Sequence, residues 1–163
     1  MIGNDVVDLQ LAKKENNWQR KGFLDKIFTK NEQILIQKSS NREITIWNLW
    51  SRKEASYKIW NRKTGIRKYN PIQFECFDIN SEIGKVQFEL ITYFTKTEIT
   101  SHLIHTIAVS NGSFFGKIKI LDNSVDIIKV NHIPFYINDN QEVKQVSKSN
   151  HGRYEFIATL SDF

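Results

Sequence analysis

The chain has 163 residues, 40% hydrophobic and 12% aromatic, and is therefore long and apolar enough to bury a core as one domain. Its 23 Lys and Arg exceed its 18 Asp and Glu, and the formal charge of +5 favours an anionic partner without identifying it. The single cysteine, Cys76, excludes an intramolecular disulfide and a cysteine-rich zinc site and favours a reducing compartment. The acidic start MIGNDVVDLQ is unlike a signal peptide, and no apolar run reaches the roughly 18 to 20 residues that span a membrane, so we expect a cytoplasmic protein.

A strand is predicted at the N-terminus. Residues 2–9 are rich in Val and Ile, with a glycine near the start. Asp5 and Asp8 lie three positions apart and therefore point to opposite faces of a regular strand. One of them could point inward, and the alternative for each is a capping or strand-end residue in solvent.

Two short helices are predicted next. Helix-forming residues extend from Leu11 to about Gln37 and are interrupted by Gly22 and by the stretch FTKNEQ. In that stretch Thr29 and Glu32 have the spacing of a capping box, so a helix should begin there.

A longer helix follows the polar linker KSSNRE. Apolar residues between Ile46 and Trp60 supply its buried side, and Gly65 suits the left-handed position past a helix C-terminus, so the helix should end before Thr64. It contains the stretch WSRKEASYK, in which Glu54 and Lys58 are one helical turn apart.

The second half of the sequence is predicted to form mainly strands. Beyond Pro71 the strand-like runs are separated by Asn, Asp, Gly and Ser, and neither a repeat nor a low-complexity linker marks a domain boundary. A helical first half and a strand-rich second half indicate an α+β fold. The runs are IQFECFDI, KVQFELITYF, HLIHTIAVS, GKIKILD, VDIIKV, IPFYIN and RYEFIATL.

The pair Glu54 and Lys58 has two interpretations. One is a surface ion pair in the favourable Glu-to-Lys order, worth roughly 0.2 to 0.5 kcal/mol. The other is a metal-binding carboxylate with an amine beside it, because carboxylates from distant segments together with phosphate oxygens suit Mg²⁺. The spacing alone leaves both open.

Other familiar sites are missing from the sequence. The four histidines have no paired metal spacing, and no G-x-G-x-x-G, Walker or G-x-S-x-G motif occurs. His151 lies in the polar stretch SKSNHGRY, which predicts either an anion-holding turn before a strand or an ordinary surface turn. The stretch WNRKTGIRKY interleaves basic and aromatic residues and would suit a nucleic acid or a nucleotide-like cofactor.

Three segments, taken in order, resemble the motifs of the 4'-phosphopantetheinyl transferase superfamily. IGNDVVDL, WSRKEASYK and SKSNHGRY are similar to the family's G-x-D strand, W-x-x-K-E-A-x-x-K helix and S-x-S-H-x-G-x-Y turn, and IFTKNEQ and TGI resemble two further family segments. The helix motif is the most specific, because it fixes five residues together. They are Trp50, Lys53, Glu54, Ala55 and Lys58.

The resemblance implies a fold and an activity. The expected fold is α+β, with the helices of the first half packed on a mainly antiparallel sheet, in a single domain over 1–163 with an unassigned strand-rich insertion at about 76–130. The expected activity is Mg²⁺-dependent transfer of the 4'-phosphopantetheine arm from coenzyme A to a serine of an apo carrier protein.

The resemblance also implies the roles of particular residues. Asp5 and Glu54 correspond to the metal carboxylates, and Glu54 and Lys58 to the catalytic residues, with Glu54 as general base and Lys58 beside the reacting phosphate. The residues expected to bind coenzyme A are Lys53, Lys58, Ser149, Asn150 and His151. Carrier proteins are usually acidic, so four basic residues are expected to contribute to docking: Lys13, Lys14, Arg20 and Lys21.

Two departures from the family pattern leave alternatives open. The family's histidine after S-x-S aligns with Asn150, and His151 lies one place later, which would weaken cofactor binding if an amide replaces the imidazole. The length lies between the short trimeric synthases and the long pseudo-dimeric transferases, so a homo-oligomer is one option. The alternative function is a catalytically impaired relative that binds coenzyme A or a protein. A nucleic-acid-binding domain ranks last, because no nucleic-acid motif is present.

Overall fold

The computed structural model describes residues 1–138 and 140–161. These residues contain ten strands and four α-helices. The helices are α1 Leu9–Glu15, α2 Phe23–Ile27, α3 Lys30–Lys38 and α4 Arg42–Thr64, and 3₁₀ turns occupy Pro71–Gln73 and Gly112–Lys117. The strands are β1 Ile2–Asp8, β2 Glu75–Phe77, β3 Ile83–Phe88, β4 Ile91–Ile99, β5 Leu103–Val109, β6 Ile118–Leu121, β7 Ile127–Val130, β8 Ile133–Ile137, β9 Val143–His151 and β10 Tyr154–Leu160.

The strands form two antiparallel five-stranded sheets. The first has the order β1-β5-β4-β3-β2 and the second the order β6-β10-β9-β8-β7. Helices precede nearly all of the strands in the chain, and the α+β class predicted from the sequence is confirmed.

The main core lies between α4 and the first sheet. The helix contributes Ile46, Leu49 and Ile59, each at most 1% exposed, and the sheet contributes Ile104 and Ala108 from β5. α4 has 23 residues and is buried along most of its length, and the N-terminal strand β1 packs against it.

The helix boundaries largely follow the sequence signals. The capping box at Thr29 is present, since its hydroxyl accepts from the Glu32 N–H and the Glu32 carboxylate accepts from the Thr29 N–H. Gly65 caps α4 with φ 73° in the left-handed region. Residues 11–37 nevertheless form three helices rather than two, because the chain leaves helical geometry after Glu15 and re-enters it after Gly22, whose φ is 81°.

Two predictions about the second half need correction. Ser149, Asn150 and His151 do not lie in a turn: they are the last residues of β9, and the turn is formed by Gly152 and Arg153. Few apolar residues occur in this strand, so its sequence lacks a hydrophobic alternation, and pairing with β10 holds it extended. Similarly, the run KVQFELITYF is divided into β3 and β4 by a turn.

The strand-rich segment 76–130 contributes centrally to the first sheet. β3, β4 and β5 all come from it, and β5 lies between β1 and β4. The segment therefore supplies the strand against which β1, with Asp5, is paired.

Candidate active site

β1 and α4 approach each other unusually closely at Gly3. A Cβ atom at this position would overlap the carbonyl oxygen of Ala55 and would lie 3.2 Å from Ile59 Cγ1. Only glycine permits this distance between the strand and the helix. The close packing brings the side chains of the next β1 residues within reach of α4.

Side chains on one face of α4 hold β1 in place by hydrogen bonds to its backbone carbonyls. Positions 51, 58 and 62 of the helix lie on the face towards the strand, as their spacing of seven and four residues requires. The bonds join Ser51 Oγ to Asp5 O (3.3 Å), Lys58 Nζ to Asn4 O (2.7 Å) and Arg62 Nη1 to Ile2 O (2.9 Å).

Asp5 and Lys58 form a partly buried ion pair. The Lys58 ammonium lies 3.3 Å from Asp5 Oδ1, and the two side chains are 29% and 14% exposed. Burial raises the pKa of Asp5, although Lys58 and Ser51 oppose this by favouring the charged carboxylate. The charged form of Asp5 is therefore poorly hydrated and only partly stabilised by its neighbours.

Glu54 is the second carboxylate of the site. Burial raises its pKa to about 7, the charge of Asp5 adds to the increase, and Lys58 opposes it. Glu54 and Asp5 are 49 residues apart in the sequence, yet both line the same cleft. Both carboxylates have a raised pKa, and a cation bound between them would favour their charged forms.

Both carboxylates line a cleft of about 300 Å³. Its polar wall is completed by Asn150 and His151 from the end of β9, and by Asn16 after α1. Its apolar wall consists of Val6, Val7, Ala12, Phe23, Ile27, Trp47 and Trp50. Residues from both ends of the chain and from α4 thus meet in one concave site.

The three β9 residues predicted to bind the cofactor differ in access. Asn150 is exposed and His151 is partly exposed, and both face the cleft. Ser149 is only 4% exposed, and its hydroxyl is buried without a hydrogen-bond partner among the described residues.

Lys53 does not reach the cleft. Its ammonium is completely buried and donates to Glu32 Oε2 at 2.7 Å, to Pro71 O at 3.0 Å and to Phe74 O at 2.7 Å. These three bonds use all three protons of the ammonium. Lys53 holds α3, α4 and the segment before β2 together, and we do not include it among the phosphate-binding residues.

The basic residues predicted to dock a carrier lie on a segment that also contributes to the cleft lining. Lys13, Lys14, Arg20 and Lys21 are exposed on α1 and the loop that follows it. This segment also contributes Ala12 and Asn16 to the cleft lining.

Sequence reasoning missed residues that shape the site. Arg153 was not predicted to have any role, yet its guanidinium bonds Asp8 beside the cleft. Glu15, at the end of α1, approaches His151 with 3.5 Å between Oε2 and Nε2. Neither residue has a local pattern that marks it, because each contact joins segments more than 130 residues apart.

Comparison with protein families identifies the lineage of the chain. The model of the 4'-phosphopantetheinyl transferase superfamily matches residues 1–112, more than half of the chain. The chain belongs to this superfamily. The resemblance predicted from the three motifs is thereby confirmed.

One curated relative and two solved structures are similar to this superfamily member. It is 34% identical over 84 residues to a holo-[acyl-carrier-protein] synthase from Fusobacterium nucleatum, over 52% of this chain and 64% of that relative, which is less than two thirds of its length. A solved apo-ACPS structure from Chronobacterium ammoiniagenes has a TM-score of 0.54 at 15% identity, over 66% of this chain and 93% of that one, and shows the shared fold. A holo-[acyl-carrier-protein] synthase structure from Thermotoga maritima has a TM-score of 0.48 at 15% identity, over 78% and 76% of the two chains.

No helix in residues 1–138 and 140–161 has the length and apolarity needed to cross a membrane. Within the same ranges, no three or more His, Cys, Asp and Glu side chains are grouped as a ready-made metal site.

Proposed function

We propose that the protein transfers the 4'-phosphopantetheine arm of coenzyme A to a serine hydroxyl of an apo carrier protein. The observation that carries the proposal is that Asp5 and Glu54 line one cleft, with the Lys58 ammonium 3.3 Å from Asp5, in a chain of this superfamily. The activity of the Fusobacterium relative, as its name states it, supports the same reaction class.

The two carboxylates fit a magnesium ion. Mg²⁺ takes oxygen ligands and is commonly held by one or two carboxylates together with substrate phosphates and water, so a site of two protein ligands is sufficient. Burial raises the pKa of both Asp5 and Glu54, and a divalent cation bound between them would favour their charged forms. When bound, Mg²⁺ would neutralise charge on the pyrophosphate oxygens of coenzyme A.

Lys58 would supply the positive charge next to the reacting phosphate. Its ammonium is already oriented by the Asn4 carbonyl at 2.7 Å, and its contact with Asp5 is longer, at 3.3 Å. A cation held on a helix and only 29% exposed stabilises developing negative charge more effectively than a solvated one.

Glu54 would accept the proton of the attacking serine. Its carboxylate lines the cleft, where it can meet the hydroxyl of a serine that enters. The leaving group is adenosine 3',5'-bisphosphate. Asn150 and His151 line the same cleft and would contact the phosphates of the donor.

The exposed basic segment that borders the cleft lining would attract the acidic carrier protein. Lys13, Lys14, Arg20 and Lys21 present four positive charges without burying them. Charges at the rim of an interface mainly raise the association rate, so their effect should weaken with added salt. We also propose that the protein works in the cytoplasm, since its single thiol is unpaired and buried.

The test is incubation of the protein with coenzyme A, Mg²⁺ and several apo carrier proteins, followed by intact-mass measurement of the carriers. A carrier that gains the mass of phosphopantetheine on its serine supports the proposal. Failure to modify any carrier, together with retained binding of coenzyme A in calorimetry, would favour the alternative of a binding module.

A further inference from the structure

Asp8, at the end of β1, is the centre of a clasp between the two ends of the chain. Its carboxylate is 2% exposed and accepts from the Arg153 guanidinium through two bonds, Nε to Oδ2 and Nη2 to Oδ1, both 2.9 Å. The Arg153 backbone N–H adds a third bond to Oδ2 at 3.1 Å. These bonds hold the pKa of Asp8 well below its usual range.

The same carboxylate begins α1. Oδ1 accepts from the backbone N–H groups of Gln10 at 3.0 Å and Leu11 at 3.3 Å, as an N-cap residue does. Asp8 therefore fixes the turn after β9 to the junction between β1 and α1.

Gly152 allows the turn to lie directly on Asp8. Its φ is 55°, in the left-handed region, and a Cβ atom there would come within 2.5 Å of Asp8 Oδ2. The close packing places the residue before it, His151, next to the Asp8 backbone.

His151 is held in one tautomer by a backbone group. The N–H of Asp8 donates to His151 Nδ1 at 2.8 Å. A backbone N–H can only donate, so Nδ1 is the acceptor and the proton of the neutral ring is on Nε2. Nε2 lies 3.5 Å from a carboxylate oxygen of Glu15, and the imidazole lines the cleft.

We propose that Arg153 is a positioning residue: through Asp8 it holds His151 so that the Nε2–H donor faces the cleft, ready for a phosphate oxygen of the substrate. A carboxylate oxygen of Glu15 lies 3.5 Å from this nitrogen, and a bound phosphate would compete with it. The identification of the anion as coenzyme A rests on the proposed function, whereas the tautomer and its dependence on Arg153 do not.

The geometry requires arginine rather than any cation. The planar guanidinium makes two parallel bonds to one carboxylate, which fix the direction of the Asp8 side chain, and a lysine ammonium cannot reproduce them. Arg153→Lys keeps the positive charge but loses the two parallel bonds. Arg153→Met loses both the charge and the bonds.

The experiment is a long-range ¹H–¹⁵N NMR spectrum of the histidine rings in the full chain. We expect His151 of the wild-type protein to show a protonated Nε2 and an unprotonated Nδ1, and Arg153→Lys and Arg153→Met to show increasing admixture of the Nδ1–H form. An unchanged Nε2–H tautomer in a folded Arg153 variant would overturn the proposal. If Arg153→Met does not fold, the Arg153→Lys spectrum decides.

Lys148→Met is the matched control. Lys148 makes a cross-strand ion pair with Glu155 on the same hairpin, 2.9 Å between Nζ and Oε1, and both side chains are about one third exposed. Removing that pair alters the hairpin without touching Asp8 or the imidazole. We expect the His151 tautomer to remain that of the wild type, and a shift in this variant would contradict the specific role of Arg153.

Enzyme kinetics distinguish a positioning role of Arg153 from a general effect of this residue on protein stability. In the transfer assay Arg153→Lys should raise the KM for coenzyme A about tenfold, the loss expected for one hydrogen bond to a charged group, and leave kcat within about twofold. A variant with an unchanged KM would count against the proposal. If the wild type transfers nothing to any carrier but the tautomer still depends on Arg153, the proposed function fails and the positioning stands.

Discussion

The ammonium of Lys58 lies 3.3 Å from the carboxylate of Asp5, and this contact joins the buried helix α4 to the N-terminal strand at the cleft. Both groups are mostly buried, so their charges act on each other and on Glu54 with little screening by solvent. A reaction that places an anionic phosphate beside Lys58, Asp5 and Glu54 would use all three residues.

Lys58→Met should reduce turnover strongly, with some loss of stability because the bond to Asn4 O and the pair with Asp5 are also removed. The side chain is partly exposed and methionine keeps its volume, but the charge beside the proposed phosphate is lost. Removing one such electrostatic group commonly costs about 10² to 10³ in kcat. Steady-state transfer kinetics measure this, and Lys63→Met, at an exposed position in the last turn of the same helix, is the control. Near-normal kcat in Lys58→Met would remove Lys58 from the mechanism.

Gly3→Ala should destabilise the protein and lower its activity together. The added methyl group overlaps the Ala55 carbonyl, so β1 must move away from α4 and carry Asp5 with it. We expect a loss of about 1 to 3 kcal/mol in the free energy of unfolding, measured by urea denaturation. Gly116→Ala, where a Cβ meets nothing within 4 Å, is the control. Equal stability of the two variants would mean that β1 and α4 are farther apart than described.

Lys53→Met should affect stability rather than cofactor binding. It leaves the Glu32 carboxylate buried without its counter-ion, which typically costs about 3 to 5 kcal/mol. Lys30→Met, which breaks an exposed pair with Asp25, should cost less than about 1 kcal/mol. If Lys53→Met folds normally and raises the KM for coenzyme A, the role expected from the family motif would replace the structural one.

Glu54→Gln should change the pH dependence of stability in metal-free buffer. The folded-state pKa of about 7 exceeds the ordinary value of 4.5, so between these values the unfolded chain has lost a proton that the folded protein retains. Wild-type stability therefore falls as the pH rises from about 4.5 to 7. The variant lacks this loss and should be more stable by about 1 to 3 kcal/mol above pH 7.

The measurement is denaturant unfolding of both proteins from pH 4 to pH 8. The exposed carboxylate of Glu98 provides the control, because Glu98→Gln should leave the curve parallel to that of the wild type. Parallel curves for Glu54→Gln as well would show that Glu54 is not buried beside a second carboxylate.

The sequence predicted the elements whose signals are local. The strand with Asp5, the capping box at Thr29 and the end of α4 at Gly65 each depend on a few neighbouring residues, and each is found. The helix motif likewise placed Glu54 and Lys58 one turn apart on one side of α4.

Features that depend on tertiary packing could not be predicted from the sequence. Lys53 precedes Glu54 by one residue and therefore points about 100° around the helix, and only the position of α3 and Glu32 determines that this face is buried. β9 has little hydrophobic alternation, so the pairing with β10 that extends it is not visible in its composition. The clasp of Asp8 and Arg153 joins residues 145 apart and has no local signal.

The most direct test of the central claim, that Asp5 and Glu54 together hold one Mg²⁺ for the reaction, is a crystal structure of the protein with Mg²⁺ and coenzyme A. We predict one ion with a carboxylate oxygen of each residue at about 2.1 Å, pyrophosphate oxygens completing its coordination, and the Lys58 ammonium moved from Asp5 to a phosphate. Coenzyme A bound elsewhere, or an ion that contacts neither carboxylate, would contradict the claim.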